Sequence, residues 1–163
     1  MAPTETRLPE MTEKRATEKP QQCGAVCWRF DEAGDVSVLL ITSRRTGRWV
    51  IPKGNLKKRE TRHECARREA YEEAGVMGKV GKKAIGRYVY FKPELQQWVT
   101  VAVYTLHVSK EAEQFPEVDI RQRRWLPPQE AATYLEEPDL RALCATLSQS
   151  GRLPTSKANH TSY

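Results

Sequence analysis

Glu69, Glu72 and Glu73 stand in the run Arg68-Glu69-Ala70-Tyr71-Glu72-Glu73-Ala74-Gly75-Val76. On a helix, spacings of three and four residues share a face, so these carboxylates crowd together. Each like-charged pair costs an isolated helix about 0.2–0.5 kcal/mol. The local counter-charges are Arg68 alongside and Arg62 one or two turns earlier, and a bound cation would remove the penalty. Glu69 and Glu73 span roughly 6 Å along the axis, which suits one or more divalent ions. Carboxylate oxygens without His or Cys among them favour Mg2+ or Mn2+ over Zn2+. A glutamate-rich helix face is more often merely solvated, so three carboxylates alone do not decide between the two.

A helix must carry this face, and its ends are marked. Thr61 followed by Glu64 is a capping-box pattern and Gly75 a C-terminal stop, which predicts a helix over 62–74. Ala66, Ala70 and Ala74 recur every fourth residue and leave one flank small enough for close approach to a sheet. Strands are expected over 23–30 and 36–42, joined through the polar turn Asp31-Glu32-Ala33-Gly34-Asp35 as a hairpin. Further strands are expected over 79–84, 86–91, 99–108 and 121–126, and helices over 129–135 and 138–147. Arg44-Arg45-Thr46-Gly47-Arg48 forms a basic loop ahead of the apolar run Trp49-Val50-Ile51. This order of elements predicts an α/β or α+β sandwich and excludes a helix bundle or an all-β barrel.

The chain has 163 residues, 39% of them hydrophobic and 29% charged, with a formal charge of +6. That length fits one domain, expected over 21–147, with a mobile arm at 1–20 and a flexible tail at 148–163. No apolar run reaches the roughly 20 residues of a membrane span, and the first 20 residues lack a hydrophobic centre, so a cytoplasmic location without membrane attachment is expected. Cys23, Cys27, Cys65 and Cys144 show no paired CxxC spacing. Reduced structural thiols are therefore expected, with neither a zinc site nor a disulfide scaffold.

Further residues at fixed spacing decide the question of the acidic face. Gly54, five intervening residues, Glu60, seven more, Arg68-Glu69, then Glu72-Glu73, Gly75 and Val76 make up a signature that resembles the box of the Nudix hydrolases, with Ala70 the one soft fit. The resemblance covers about residues 23–147. It implies an α/β/α sandwich around a mixed β-sheet and metal-assisted attack of water on a diphosphate. It further implies that Glu69 and Glu73 are metal ligands, that Glu72 is a ligand or the base, and that the Lys53 carbonyl is a backbone ligand, with Mg2+ or Mn2+ as cofactor. Arg68 would hold a glutamate in place and Glu60 would support the loop. Gly54 and Gly75 read as backbone necessities of a tight loop and a helix exit.

Arg44, Arg48 and the Arg-Trp-x-x-Pro ahead of the box, with the later Arg121-Gln122-Arg123-Arg124-Trp125, are similar to the group that contains diphosphoinositol polyphosphate phosphohydrolases and diadenosine polyphosphate hydrolases. By that resemblance Arg44, Arg48, Lys53 and Arg121 bind a small polyphosphorylated substrate. Gln21, Gln22 and the stretch Pro93-Glu94-Leu95-Gln96-Gln97 depart from the inositol-specific pattern, which favours dinucleoside polyphosphates. Trp28, Tyr88, Tyr90 and Trp98 are then candidates to stack on a base, or else core residues. Two alternatives remain: removal of pyrophosphate from triphosphorylated RNA, with nucleic acid as the substrate, and a binding module without turnover. The sequence leaves the oligomeric state open.

Overall fold

The computed structural model describes residues 19–147. The expected arm therefore lies almost wholly outside the described residues, and the expected tail 148–163 entirely so. An eight-stranded sheet carries the fold. Its strands are β1 (Gln22–Phe30), β2 (Val36–Thr42), β3 (Trp49–Val50), β4 (Lys53–Asn55), β5 (Val76–Val80), β6 (Gly86–Lys92), β7 (Gln97–Glu111) and β8 (Arg123–Leu126). Among the described residues three α-helices accompany it, α1 (Arg62–Ala74), α2 (Pro128–Tyr134) and α3 (Pro138–Thr146), with a single 3-10 turn at Pro93–Leu95.

The sheet is mixed because β1 runs parallel to β7, Gln22 opposite Val101 through Trp28 opposite His107, while every other pairing is antiparallel. The β1–β2 hairpin closes where expected. Asp31 Oδ1 accepts from the N–H groups of Ala33 and Asp35, and Gly34 takes a positive φ of 82°.

Both faces of the sheet are covered, and the two-residue period of the strands decides which side chain goes where. Cys23, Ala25 and Cys27 of β1 and Leu39 and Ile41 of β2 face α1, where they pack against Ala66, Ala70 and Ala74. These alanines are fully buried, so the small flank lets the helix lie close. Val26, Trp28, Val38 and Leu40 point the other way, against Leu135, Leu140 and Cys144 of the α2–α3 layer. The result is the expected α/β/α sandwich. All four cysteines are free and buried.

One strand is displaced from its expected place. The strand expected over 79–84 starts at Val76, directly after the helix, and ends at Val80. Long-range pairing with the far end of β7, from Val76 opposite Glu111 to Val80 opposite Leu106, sets those limits. The register shifts at Met77/Gly78, where a side chain on Gly78 would overlap the His107 carbonyl. Arg121 and Gln122 likewise precede β8 instead of opening it.

Candidate active site

Helix α1 begins and ends as its sequence demands. Thr61 Oγ1 accepts from the Glu64 N–H at 3.3 Å while Glu64 Oε2 accepts from the Thr61 N–H at 2.9 Å. Gly75 closes the helix with φ 68°, its N–H donating to Tyr71 O. Between these caps the acidic turn is aimed into a cleft of about 930 Å³ that Glu69, Glu72 and Glu73 line together with Lys53, Gly54, Asn55 and Glu117. Arg44, Arg45, Lys57 and Lys92 stand around the same cleft, with Arg68 and Arg121.

Arg68 organises the turn. Its Nε and Nη2 donate to the two oxygens of Glu60 at 2.7 and 2.9 Å, Nη1 to Glu69 at 2.7 Å and to Glu72 at 3.2 Å, and Nη2 to the Asn55 carbonyl at 3.0 Å. A planar fork suits such shared carboxylate recognition. The Arg68 bonds hold Glu60 down at about 2. Glu69 lies deeper, and burial raises its pKa above the ordinary value against the pull of Arg68.

Glu73 is held differently. It accepts from the Lys53 N–H at 3.2 Å and pairs with Arg121 Nη2 at 3.2 Å. Burial pushes its carboxyl up to about 7, opposed by Arg121 and Lys53. Burial also lowers the Lys53 ammonium, against the pull of Glu73. Glu72 is the accessible member of the three, its side chain 36% exposed against 11% for each of the others.

Gly54 serves a purpose other than a tight turn. It lies in β4 opposite Cys23, with no positive φ, and a Cβ there would overlap the Glu69 carboxylate. Its bareness makes room for the glutamate.

The basic residues divide into two sets. Arg44 stays at the cleft, 67% exposed, and reaches Glu117 at 3.5 Å. Arg121 is enclosed, its side chain 7% exposed, and bonds the Thr42 carbonyl at 2.9 Å besides Glu73. Its place is beneath the acidic turn, holding Glu73. Arg48 lies outside this cleft and meets Glu137 at 2.6 Å. Arg123 donates to the Ala74 carbonyl at 3.0 Å, a cation at the C-terminal end of α1 as the helix dipole favours. Of the aromatic candidates, Trp28 and Tyr88 are core residues, each 2% exposed. Tyr90 lines the glutamate cleft and Trp98 a neighbouring cavity.

Glu117 joins the site without any signal in the sequence. Its N–H donates to the Glu72 carbonyl at 3.0 Å, and its carboxylate faces Arg44 and Arg121. It belongs to no motif and comes from the loop that follows β7.

Among the described residues no three His, Cys, Asp or Glu side chains converge closely enough to hold an ion. Glu69 and Glu72 turn to Arg68, and Glu73 to Arg121. The donors nevertheless fit a hard divalent cation: all are carboxylate or carbonyl oxygens, they line one cleft, and two are buried carboxylates whose desolvation a cation offsets.

Residues 20–146 match the NUDIX domain, and the chain belongs to this family. It is 33% identical to Nudix hydrolase 21, chloroplastic, of Arabidopsis thaliana over 68% of this chain and 57% of that protein. It is also 33% identical to diphosphoinositol polyphosphate phosphohydrolase 3-beta of Homo sapiens over 82% of this chain and 77% of that one. The chain spans between 56% and 66% of the length of the Arabidopsis relatives it matches. The fold is shared with a C. elegans Ap4A hydrolase, TM-score 0.58 at 21% identity, covering 78% of this chain and 95% of that one. It is shared also with the NUDIX domain of Shewanella oneidensis NrtR, solved with ADP ribose, TM-score 0.59 at 18% identity over 84% and 97% of the two chains. No helix among the described residues is long and apolar enough to cross a membrane.

Proposed function

We propose that the protein is a metal-dependent hydrolase that cleaves a phosphoanhydride bond in a small polyphosphorylated substrate, a dinucleoside polyphosphate or a diphosphoinositol polyphosphate. One observation carries this reading: three glutamates from one helical turn form an acidic patch inside a cleft that seven cations and two further carboxylates, Glu94 and Glu117, also line. A diphosphate resists hydrolysis because its anionic oxygens repel a nucleophile. The site answers both halves of that problem, with cations for the phosphates and carboxylates for a divalent ion and a proton. Kinship with the diphosphoinositol polyphosphate phosphohydrolase supports the substrate class.

Glu69, Glu72, Glu73 and the Lys53 carbonyl would hold Mg2+ or Mn2+, and family members generally use such ions. When bound, the ion supplies charge neutralisation and a more acidic water. Glu72, the most accessible of the three glutamates, would take up a proton from an attacking water at its Oε atoms. Arg44 receives phosphate oxygens from the solvent side, where its exposure leaves it free to move. Lys53 and Lys92 add charge within the cleft. Arg68 and Arg121 act through the glutamates as positioning residues.

The test offers diadenosine tetraphosphate, a diphosphoinositol polyphosphate and a 5′-triphosphorylated RNA with Mg2+ or Mn2+, and measures phosphate release and products. Cleavage of either small molecule supports the reading. Cleavage of RNA alone replaces it with 5′-end processing, and turnover of none leaves a binding module.

A further inference from the structure

The seven cations of the glutamate cleft are held in two different ways. Each of the four arginines is tied to a carboxylate, Arg44 to Glu117, Arg45 to Glu94, Arg68 to Glu60 and Arg121 to Glu73, so its charge is partly answered inside the protein. Among the described residues Lys53, Lys57 and Lys92 reach no carboxylate within ion-pair distance. Lys53 is the one of these three set against the acidic turn, its backbone N–H bonded to Glu73 at 3.2 Å.

Glu73 also attracts the Lys53 ammonium, and a flexible four-carbon stem would let that ammonium collapse onto the carboxylate. The ring of Tyr90 stands against this, with Lys53 Nζ 4.8 Å from its centre. An aromatic face attracts an ammonium through its quadrupole and carries no net charge. It therefore anchors the lysine without neutralising it, as a carboxylate would.

The ring is itself fixed from behind. The Tyr90 hydroxyl donates to Gln22 Oε1 at 2.9 Å, and Gln22 Nε2 donates to Asn55 Oδ1 at 3.1 Å. Gln22 is 5% exposed and lies opposite Asn55 across β1 and β4, so the chain of bonds closes on the strand that carries Lys53. The Asn55 carbonyl takes Nη2 of Arg68 at 3.0 Å, which joins this chain to the group that holds the glutamates. Neither Gln22 nor Tyr90 belongs to the box.

We propose that Tyr90, fixed by Gln22, is a positioning residue that holds the Lys53 ammonium over the glutamate cleft with its charge free for a phosphate group. The inference rests on the proposed function for the class of ligand, and it gives Tyr90 a part that needs no contact with that ligand.

The probe is methylenediphosphonate, whose P–C–P bridge water does not cleave, titrated calorimetrically into the full chain with Mg2+. Tyr90→Leu should weaken its binding by about 3- to 30-fold, the range of a cation–π contact. Tyr90→Phe keeps the ring and should stay within about twofold of wild type. In a Lys53→Met background, Tyr90→Leu should change affinity by less than about twofold, because the group it positions is gone. Equal binding by wild type and a folded Tyr90→Leu protein overturns the proposal. A loss of the same size in the Lys53→Met background does so too, as does a wild-type protein that leaves the probe unbound. Should Tyr90→Leu fail to fold, NMR of the wild type decides: the ring current of Tyr90 should move the Lys53 ε-methylene protons upfield of those of the other lysines, in a signal that Lys53→Met removes and Tyr90→Phe retains. An unshifted signal overturns the proposal. Phosphate release from diadenosine tetraphosphate is read separately. Release with additive losses of affinity sinks only the part given to Tyr90, and coupled losses without release sink only the hydrolase reading.

Discussion

Arg68→Ala removes the group that holds the acidic turn, and its cost can be worked from the contacts. The guanidinium makes two bonds to Glu60 and one each to Glu69, Glu72 and the Asn55 carbonyl, all between 2.7 and 3.2 Å. The side chains of Arg68, Glu60 and Glu69 are 20%, 14% and 11% exposed, so water replaces the lost partner only in part. Removing one member of a buried pair costs about 3–5 kcal/mol. Partial exposure brings this to about 2–4 kcal/mol. At about 4 °C per kcal/mol for a domain of this size, Tm should fall by about 8–16 °C at neutral pH. The pH dependence is a second readout. Arg68 holds folded Glu60 at about 2, below its ordinary value of 4.5, so the stabilisation is complete above that ordinary value and is lost as pH falls toward 2. The gap in urea midpoint between wild type and variant should therefore be widest near pH 6–7 and close below about pH 4.5. A Tm drop under about 3 °C, or a gap that does not change with pH, would refute the assignment of Arg68 as the ionic hub.

Glu72→Gln should fold normally, since the side chain is 36% exposed, and lower turnover at least about a hundredfold in a phosphate-release assay; near-wild-type kcat would remove Glu72 from the chemistry. Arg44→Ala should raise KM more than it lowers kcat and leave Tm unchanged, because the residue is 67% exposed and contacts phosphate in ground and transition states alike; an unaltered KM counts against it. Gly54→Ala drives a methyl into the Glu69 carboxylate and should cost about 1–3 kcal/mol by thermal melting. Because Gly54→Ala and Arg68→Ala both dislodge Glu69, the double variant should lose less than the two losses added together; full additivity would show that the glycine acts elsewhere.

What could be read from the sequence was local. The capping box at Thr61 and Glu64, the stop at Gly75, the alanine flank and the shared face of the three glutamates all follow from contacts three or four residues apart. The alternation in β1 and β2 follows from the pleat and gives both faces of the sheet. The partners of the cations were beyond its reach, because each depends on where distant segments meet. Arg121 reaches Glu73 and the Thr42 carbonyl through the placement of β8 against β2, and Arg48 meets Glu137 across 89 positions. Glu117 enters the cleft from a loop with no motif, and β5 takes its limits from pairing with β7. A charge run shows that guanidinium groups are available; long-range register and burial settle which of them face a ligand and which hold a carboxylate.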